Sequence, residues 1–125
     1  MISPSLEEKV TYVLPFAMFE VHYYFHGDGG SPFEDWFQDL DAISAAKVTV
    51  ALARIEQGNL SNVKGVGEGV LEYRINWGPG YMVYFGLDGQ VMVILLTGGT
   101  KRRQQRDIET AKELWGDYKA RRSRA

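Results

Sequence analysis

The chain contains no cysteine and only two histidines, and these absences exclude several classes of site. Without cysteine there is no disulfide, no thiolate nucleophile and no cysteine-ligated metal centre. His22 and His26 have no further ligand at a supporting spacing, so no metal site is predicted. The longest apolar run, Val91–Leu96, is far too short to cross a bilayer, so no membrane partner is expected. Glu7 and Glu8 stand where a signal peptide needs basic residues, so no signal peptide is predicted. The absence of cysteine fits a reducing cytoplasm, where we expect the protein to be.

The chain also lacks an excess of positive charge, because its net charge is −2. A weakly acidic balance argues against a general nucleic-acid binder. The charges are unevenly distributed, however: residues 1–59 contain 9 acids and 3 bases, whereas residues 60–125 contain 7 acids and 11 bases. The basic half can form a local patch, although the same pattern is equally typical of a solvated helix face.

The hydrophobic patterns predict one α+β domain in the order β-α-α-β-β-β-α, with helices packed on one face of a small, mostly antiparallel sheet. Ser31-Pro32-Phe33-Glu34 is a helix start, and Asp41 caps a second helix that ends near Gly58. The remaining predicted segments are strands at 19–25, 70–77, 81–86 and 91–97, a loop at 60–69 and a final helix from about 102–104. We interpret residues 1–17 as an N-terminal extension, 18–119 as the domain and 120–125 as a basic tail.

Four polar residues form the strongest candidate site. Glu72 and Arg74 share one face of a predicted strand because side chains alternate along a strand. Lys64 precedes that strand, and Lys101 follows the apolar strand expected beside it, so the three cations can surround one phosphate. The alternative is an ordinary ion pair on a solvated sheet face, worth less than about 1 kcal/mol. The glycines of 65–69 lack a nucleotide-binding spacing, and no cofactor is predicted.

An ordered set of short motifs spans roughly residues 19–118 and carries a family resemblance. The motifs are Phe33-Glu34-Asp35-Trp36, Ile55-Glu56-Gln57-Gly58-Asn59, Val63-Lys64-Gly65-Val66-Gly67-Glu68-Gly69-Val70, Leu71-Glu72-Tyr73-Arg74-Ile75, Gly78-Pro79-Gly80-Tyr81, Val83-Tyr84-Phe85, Leu95-Leu96-Thr97-Gly98-Gly99-Thr100-Lys101 and Arg106-Asp107-Ile108-Glu109-Thr110-Ala111-Lys112. Together they resemble the RelE/ParE superfamily of type II toxins, and most closely its HigB-like branch of addiction module killer proteins.

The resemblance implies a toxin that cuts messenger RNA without a metal, in some members on the ribosome, and that inhibits translation. It implies an antitoxin partner, typically a helix-turn-helix protein encoded beside the toxin. Lys64, Arg74 and Lys101 are then catalytic cations, and Glu72 is a base or a residue that orients Arg74. Two further roles are implied: Tyr81 stacks on a base or belongs to the core, and three arginines contact the RNA backbone. These arginines are Arg102, Arg103 and Arg106.

One position departs from the family pattern. Relatives usually have arginine after Gly-Pro-Gly-Tyr, and this chain has Met82, which cannot donate a hydrogen bond to phosphate. Three interpretations of Met82 are therefore open: a weakened toxin, a natural variant with another cation in place of the arginine, or a deliberately detoxified chain. Met82→Arg is expected to increase growth inhibition if position 82 belongs to the active surface. Two alternatives remain open: a ParE-like toxin that inhibits gyrase without cutting RNA, and an inactive member that only binds its antitoxin.

Overall fold

The computed structural model describes residues 18–124, so the predicted extension at 1–17 lies outside the described residues. Five strands and three helices make up the described chain. They are β1 (Glu20–Tyr23), α1 (Pro32–Gln38), α2 (Ala42–Glu56), β2 (Val63–Gly67), β3 (Val70–Ile75), β4 (Tyr81–Asp88), β5 (Met92–Thr100) and α3 (Gln104–Arg124), with a 3-10 turn at Lys101–Arg103. The predicted α+β class is confirmed. None of the helices within residues 18–124 is long and apolar enough to span a membrane.

Local side-chain chemistry fixes the starts of the first two helices and the end of the second. Ser31 Oγ accepts a hydrogen bond from the Glu34 N–H at 3.2 Å, and Asp41 Oδ1 accepts one from the Ser44 N–H at 2.8 Å. The bond from Ser44 holds the pKa of Asp41 below its usual value. Gly58 follows α2 with φ of +81°, a left-handed conformation that glycine adopts without a steric penalty. The predicted helix boundaries follow from these caps.

The strands form one sheet in the order β1-β5-β4-β3-β2. Strands β2 to β5 make an antiparallel meander, whereas β1 pairs with β5 in parallel. The register places Lys64 opposite Glu72, and Arg74 opposite Met82. Neighbouring strands therefore bring Lys64, Glu72, Arg74 and Met82 to one face of the sheet.

Helices cover both faces of the sheet, so the expectation that all helices pack on one face is wrong. On the first face, α1 and α2 contribute Phe33, Val48 and Ile55 to a core with Val93 and Leu95 of β5. On the second face, α3 contributes residues 108–115 to another core, which includes Ile94 and Leu96 of the same strand. Because β5 is apolar on both faces, each face needs a cover, and α3 is the only remaining helix in the described part of the chain to supply the second.

Two segments also differ from their predicted structure. The predicted loop at 60–69 contains strand β2, which pairs with β3 at the sheet edge despite its glycines. Backbone hydrogen bonds to a neighbouring strand compensate there for low strand propensity. Residues 120–124 of the predicted tail continue α3 as helix, and Arg121 and Arg122 fasten it to Asp117 and Asp88.

Candidate functional site

A cluster of one acid and two bases lies near the sheet edge formed by β2. Lys64 and Glu72 are cross-strand partners, and Arg74 follows two residues later on the same face. The side chain of Glu72 is fully buried, whereas those of Lys64 and Arg74 are 60% and 44% exposed. A buried carboxylate therefore lies beneath two cations that are open to a ligand.

The two oxygens of Glu72 have different surroundings. Oε2 accepts hydrogen bonds from the Tyr84 hydroxyl at 3.0 Å and from Gln104 Nε2 at 2.9 Å. Oε1 lies 4.0 Å from Lys64 Nζ and 4.0 Å from Arg74 Nη2, and it has no hydrogen-bond partner among the described residues. Oε2 is thus hydrogen-bonded within the protein, and Oε1 faces the two cations.

Tyr84 is the internal donor that holds Glu72. It is fully buried, and burial together with the negative charge of Glu72 raises its pKa well above the usual value for tyrosine. Tyr84 therefore remains protonated at neutral pH and donates its O–H to the carboxylate. This bond and the one from Gln104 fix the position of Glu72 from both β4 and α3.

An open cleft of about 250 Å³ lies beside this cluster, and we call it the basic cleft. Its lining residues come from β2, from β3 and from the residues just before β2 and just after β3: Ser61, Asn62, Val63, Lys64, Glu72, Arg74 and Asn76. Two exposed cations beside one buried carboxylate give a net positive surface. Such a surface can bind a phosphate and stabilise charge that builds up on it.

The other predicted cations lie at the end of β5 and the start of α3. Lys101 is exposed, and its backbone N–H donates to the Gly80 carbonyl at 2.8 Å. Within residues 18–124 its side chain makes no ion pair with Glu72, so the structure brings together three members of the predicted group of four. Arg102, Arg103 and Arg106 are exposed on the 3-10 turn and the first turn of α3. Burial raises the pKa of the neighbouring Asp107, and the charges of Arg103 and Arg106 oppose that rise.

Tyr81 and Met82 occupy core positions. Tyr81 lies in the core under α1 and α2, on the face opposite the basic cleft, and its hydroxyl accepts a hydrogen bond from Ser44 Oγ at 3.2 Å. Of the two roles considered for Tyr81, the core position is the one that this geometry supports. Met82 is 1% exposed and packs in the core under α3. It therefore lies beside Arg74 in the sheet but outside the open surface.

Sequence reasoning did not identify the residues that surround Arg74 on its other side. Asn62, Arg74 and Asn76 also line a second cavity, which lies between α2 and the end of β3. This cavity contains Lys47, Arg54 and Trp77. The spacing of Lys47 and Arg54 on one face of α2 was visible in the sequence, but their proximity to Trp77 depends on how α2 packs on the sheet.

Comparison with solved structures assigns the chain to the RelE-like α+β folds. It superimposes with a TM-score of 0.52 on a chain of the crystal structure of the RelBE2 toxin–antitoxin complex from Mycobacterium tuberculosis. The match has 13% sequence identity and covers 68% of this chain and 93% of that chain. Such a likeness shows the fold. No family model matches the chain.

A sequence relative defines the family. A Haemophilus influenzae protein described as uncharacterized is 41% identical over 83 residues, which are 66% of this chain and 84% of the relative. The chain belongs to the same family as that protein.

Proposed function

We propose that the chain is the toxin of a type II toxin–antitoxin system and a metal-independent endoribonuclease that cuts messenger RNA and so inhibits translation. The observation that carries the proposal is the pair of exposed cations, Lys64 and Arg74, that Glu72 Oε1 faces at 4.0 Å in the basic cleft. The likeness of the fold to a chain of a toxin–antitoxin complex supports it. The HigB-like branch and a neighbouring-gene antitoxin as partner are parts of the same proposal.

The chemistry needs cations at one phosphate. The ribose 2′-oxygen attacks the adjacent phosphorus and the 5′-oxygen leaves, so negative charge accumulates on the phosphoryl oxygens in the transition state. Lys64 and Arg74 stabilise that charge more strongly than they stabilise the ground state. Because Glu72 is fully buried and its Oε1 faces both cations at 4.0 Å, its role in the proposal is to orient them. Lys101 and the exposed arginines at the start of α3 contact the RNA backbone beyond the cleft.

Cleavage assays with purified variants test the proposal. Arg74→Ala and Lys64→Ala each remove a transition-state cation and are expected to lower the cleavage rate of a translated message by about 10²–10³-fold. Lys119→Ala is the matched control, because it removes an exposed lysine from the far end of α3. Unchanged cleavage by both cleft variants would contradict the assignment. Loss of gyrase supercoiling activity, with no RNA cleavage, would instead support the ParE-like alternative.

The burial of Met82 favours a second candidate function. Methionine stands opposite Arg74, where the toxin family that the chain resembles usually has arginine, and it supplies no cation to the cleft. A chain of this kind can keep its antitoxin-binding surface while lacking nuclease activity. Expression without the antitoxin separates the two candidates: the nuclease arrests growth, whereas the inactive member binds antitoxin tightly and leaves growth unchanged.

A further inference from the structure

A second cavity adjoins the basic cleft on the other side of the sheet edge. It has a volume of about 340 Å³ and lies between α2 and the end of β3, and we call it the edge groove. It exists because β2 pairs with β3 only as far as Tyr73, so the last residues of β3 have no neighbouring strand on that side. Its size is that of a small-ligand site.

Charge and aromatic character identify what the edge groove can bind. Lys47 and Arg54 lie on one face of α2, seven residues apart, and Arg74 closes the groove from β3. Among residues 18–124, no carboxylate lines it. Trp77 is 39% exposed at its mouth, and Lys47 Nζ lies 4.7 Å from the centroid of the Trp77 ring. Cations beside an exposed aromatic ring are the combination that binds single-stranded nucleic acid.

The edge groove is continuous with the basic cleft. Asn62, Arg74 and Asn76 line both cavities, so these three residues lie at their junction. The groove therefore begins beside the two cations, Lys64 and Arg74, that line the basic cleft. The path leads around the sheet edge, away from the face that α3 covers.

We propose that the edge groove is a nucleotide-binding subsite for the RNA residue next to the linkage that is cut. In this subsite Trp77 stacks on the base, and Lys47 and Arg54 neutralise the adjoining phosphate. The inference rests on the proposed function, since it assumes that RNA occupies the basic cleft. It makes Trp77, Lys47 and Arg54 binding residues rather than catalytic residues.

The test measures binding of a short single-stranded RNA whose 2′-hydroxyls are methylated, so that it binds without being cut. Trp77→Ala is expected to weaken binding about tenfold, whereas Trp77→Phe keeps a stacking ring and most of the affinity. In the Lys47→Ala/Arg54→Ala double variant, the slope of log K against log salt is expected to fall by about 0.7 for each phosphate that is no longer neutralised. The matched control is Lys119→Ala/Arg124→Ala, which removes the same charge at the far end of α3 and is expected to leave the slope unchanged.

The failure of this inference can be distinguished from failure of the proposed function. If Arg74→Ala abolishes cleavage while the Trp77 and Lys47/Arg54 variants bind and cut like the parent chain, the subsite is wrong and the nuclease assignment stands. If no RNA is cut but binding depends on Trp77 and on the two α2 cations, the subsite stands without the nuclease. Equal loss of affinity in the control double variant, or no binding of RNA by the parent chain, overturns the inference.

Discussion

The burial of Glu72 makes a quantitative prediction about two substitutions at that position. Glu72→Ala leaves the Tyr84 hydroxyl, which is fully buried, without its acceptor. An unsatisfied buried donor costs about 1–3 kcal/mol. Gln104 is only partly buried and can turn toward water, so the loss of its hydrogen bond adds little. Because the packing of a fully buried side chain is removed as well, Glu72→Ala is expected to lower the free energy of unfolding by about 2–4 kcal/mol.

Glu72→Gln separates the charge of the carboxylate from its shape. The glutamine carbonyl still accepts from Tyr84, while the attraction to Lys64 and Arg74 is lost. Both cations are largely exposed and 4.0 Å away, so each contributes less than about 1 kcal/mol, and removal of a buried charge offsets that loss. The free energy of unfolding is therefore expected to change by no more than about 1 kcal/mol. The rate of RNA cleavage is expected to fall, because the negative charge that orients Lys64 and Arg74 is gone.

Urea denaturation of the parent chain and both variants, with a cleavage assay on the same samples, checks this reasoning. The expected pattern is a large stability loss for Glu72→Ala only and a large activity loss for both. If Glu72→Gln unfolds as easily as Glu72→Ala, the fold depends on the negative charge itself. If Glu72→Gln retains full activity, Glu72 does not position the cations.

Two further predictions concern buried or partly buried side chains. Burial and a hydrogen bond to Asp88 raise the pKa of Tyr118 to about 12, so its stabilising contribution is complete below pH 10, the usual pKa of tyrosine, and is lost as the pH rises toward 12. Melting temperatures measured across that range should fall less steeply for Tyr118→Phe than for the parent chain; parallel curves would contradict the assignment. Met82→Arg places a charge in the core under α3 and is expected to lower the free energy of unfolding by about 3 kcal/mol or more, whereas Met82→Leu changes it by less than about 1.5 kcal/mol. A stable Met82→Arg variant that also arrests growth more strongly would show that α3 leaves position 82 open in the working protein.

Local features of the fold were predictable because neighbouring residues determine them. The caps at Ser31 and Asp41 and the glycine after α2 involve contacts within a few residues. The apolar stripe of α3 shows that the helix docks, but not on which face of the sheet. The sequence of β5 did indicate that helices pack on both faces. Val93 and Leu95 point to one face and Ile94 and Leu96 to the other, and apolar side chains on both faces must be buried.

The candidate site was predictable to the same extent. Strand alternation places Glu72 and Arg74 on one face, whereas the β2–β3 pairing that sets Lys64 opposite Glu72 lies in a segment predicted as a loop. The bond from Gln104 to Glu72 was not predictable, since it depends on where α3 docks. The edge groove likewise depends on how closely α2 approaches the end of β3, a distance that side-chain packing sets and no local pattern encodes.

The parallel pairing of β1 with β5 has a consequence for how the molecule assembles. Glu20 aligns with Met92 and Tyr23 with Leu95, so β1 cannot pair with β5 until residues 92–95 have been made. The meander from β2 to β5 joins sequence neighbours through short connections and can form early. Bringing β1 and β5 together closes a long segment of chain, which costs more conformational entropy and slows this step. During synthesis from the amino terminus, β1 is therefore made first and enters the sheet only after β5 has been made.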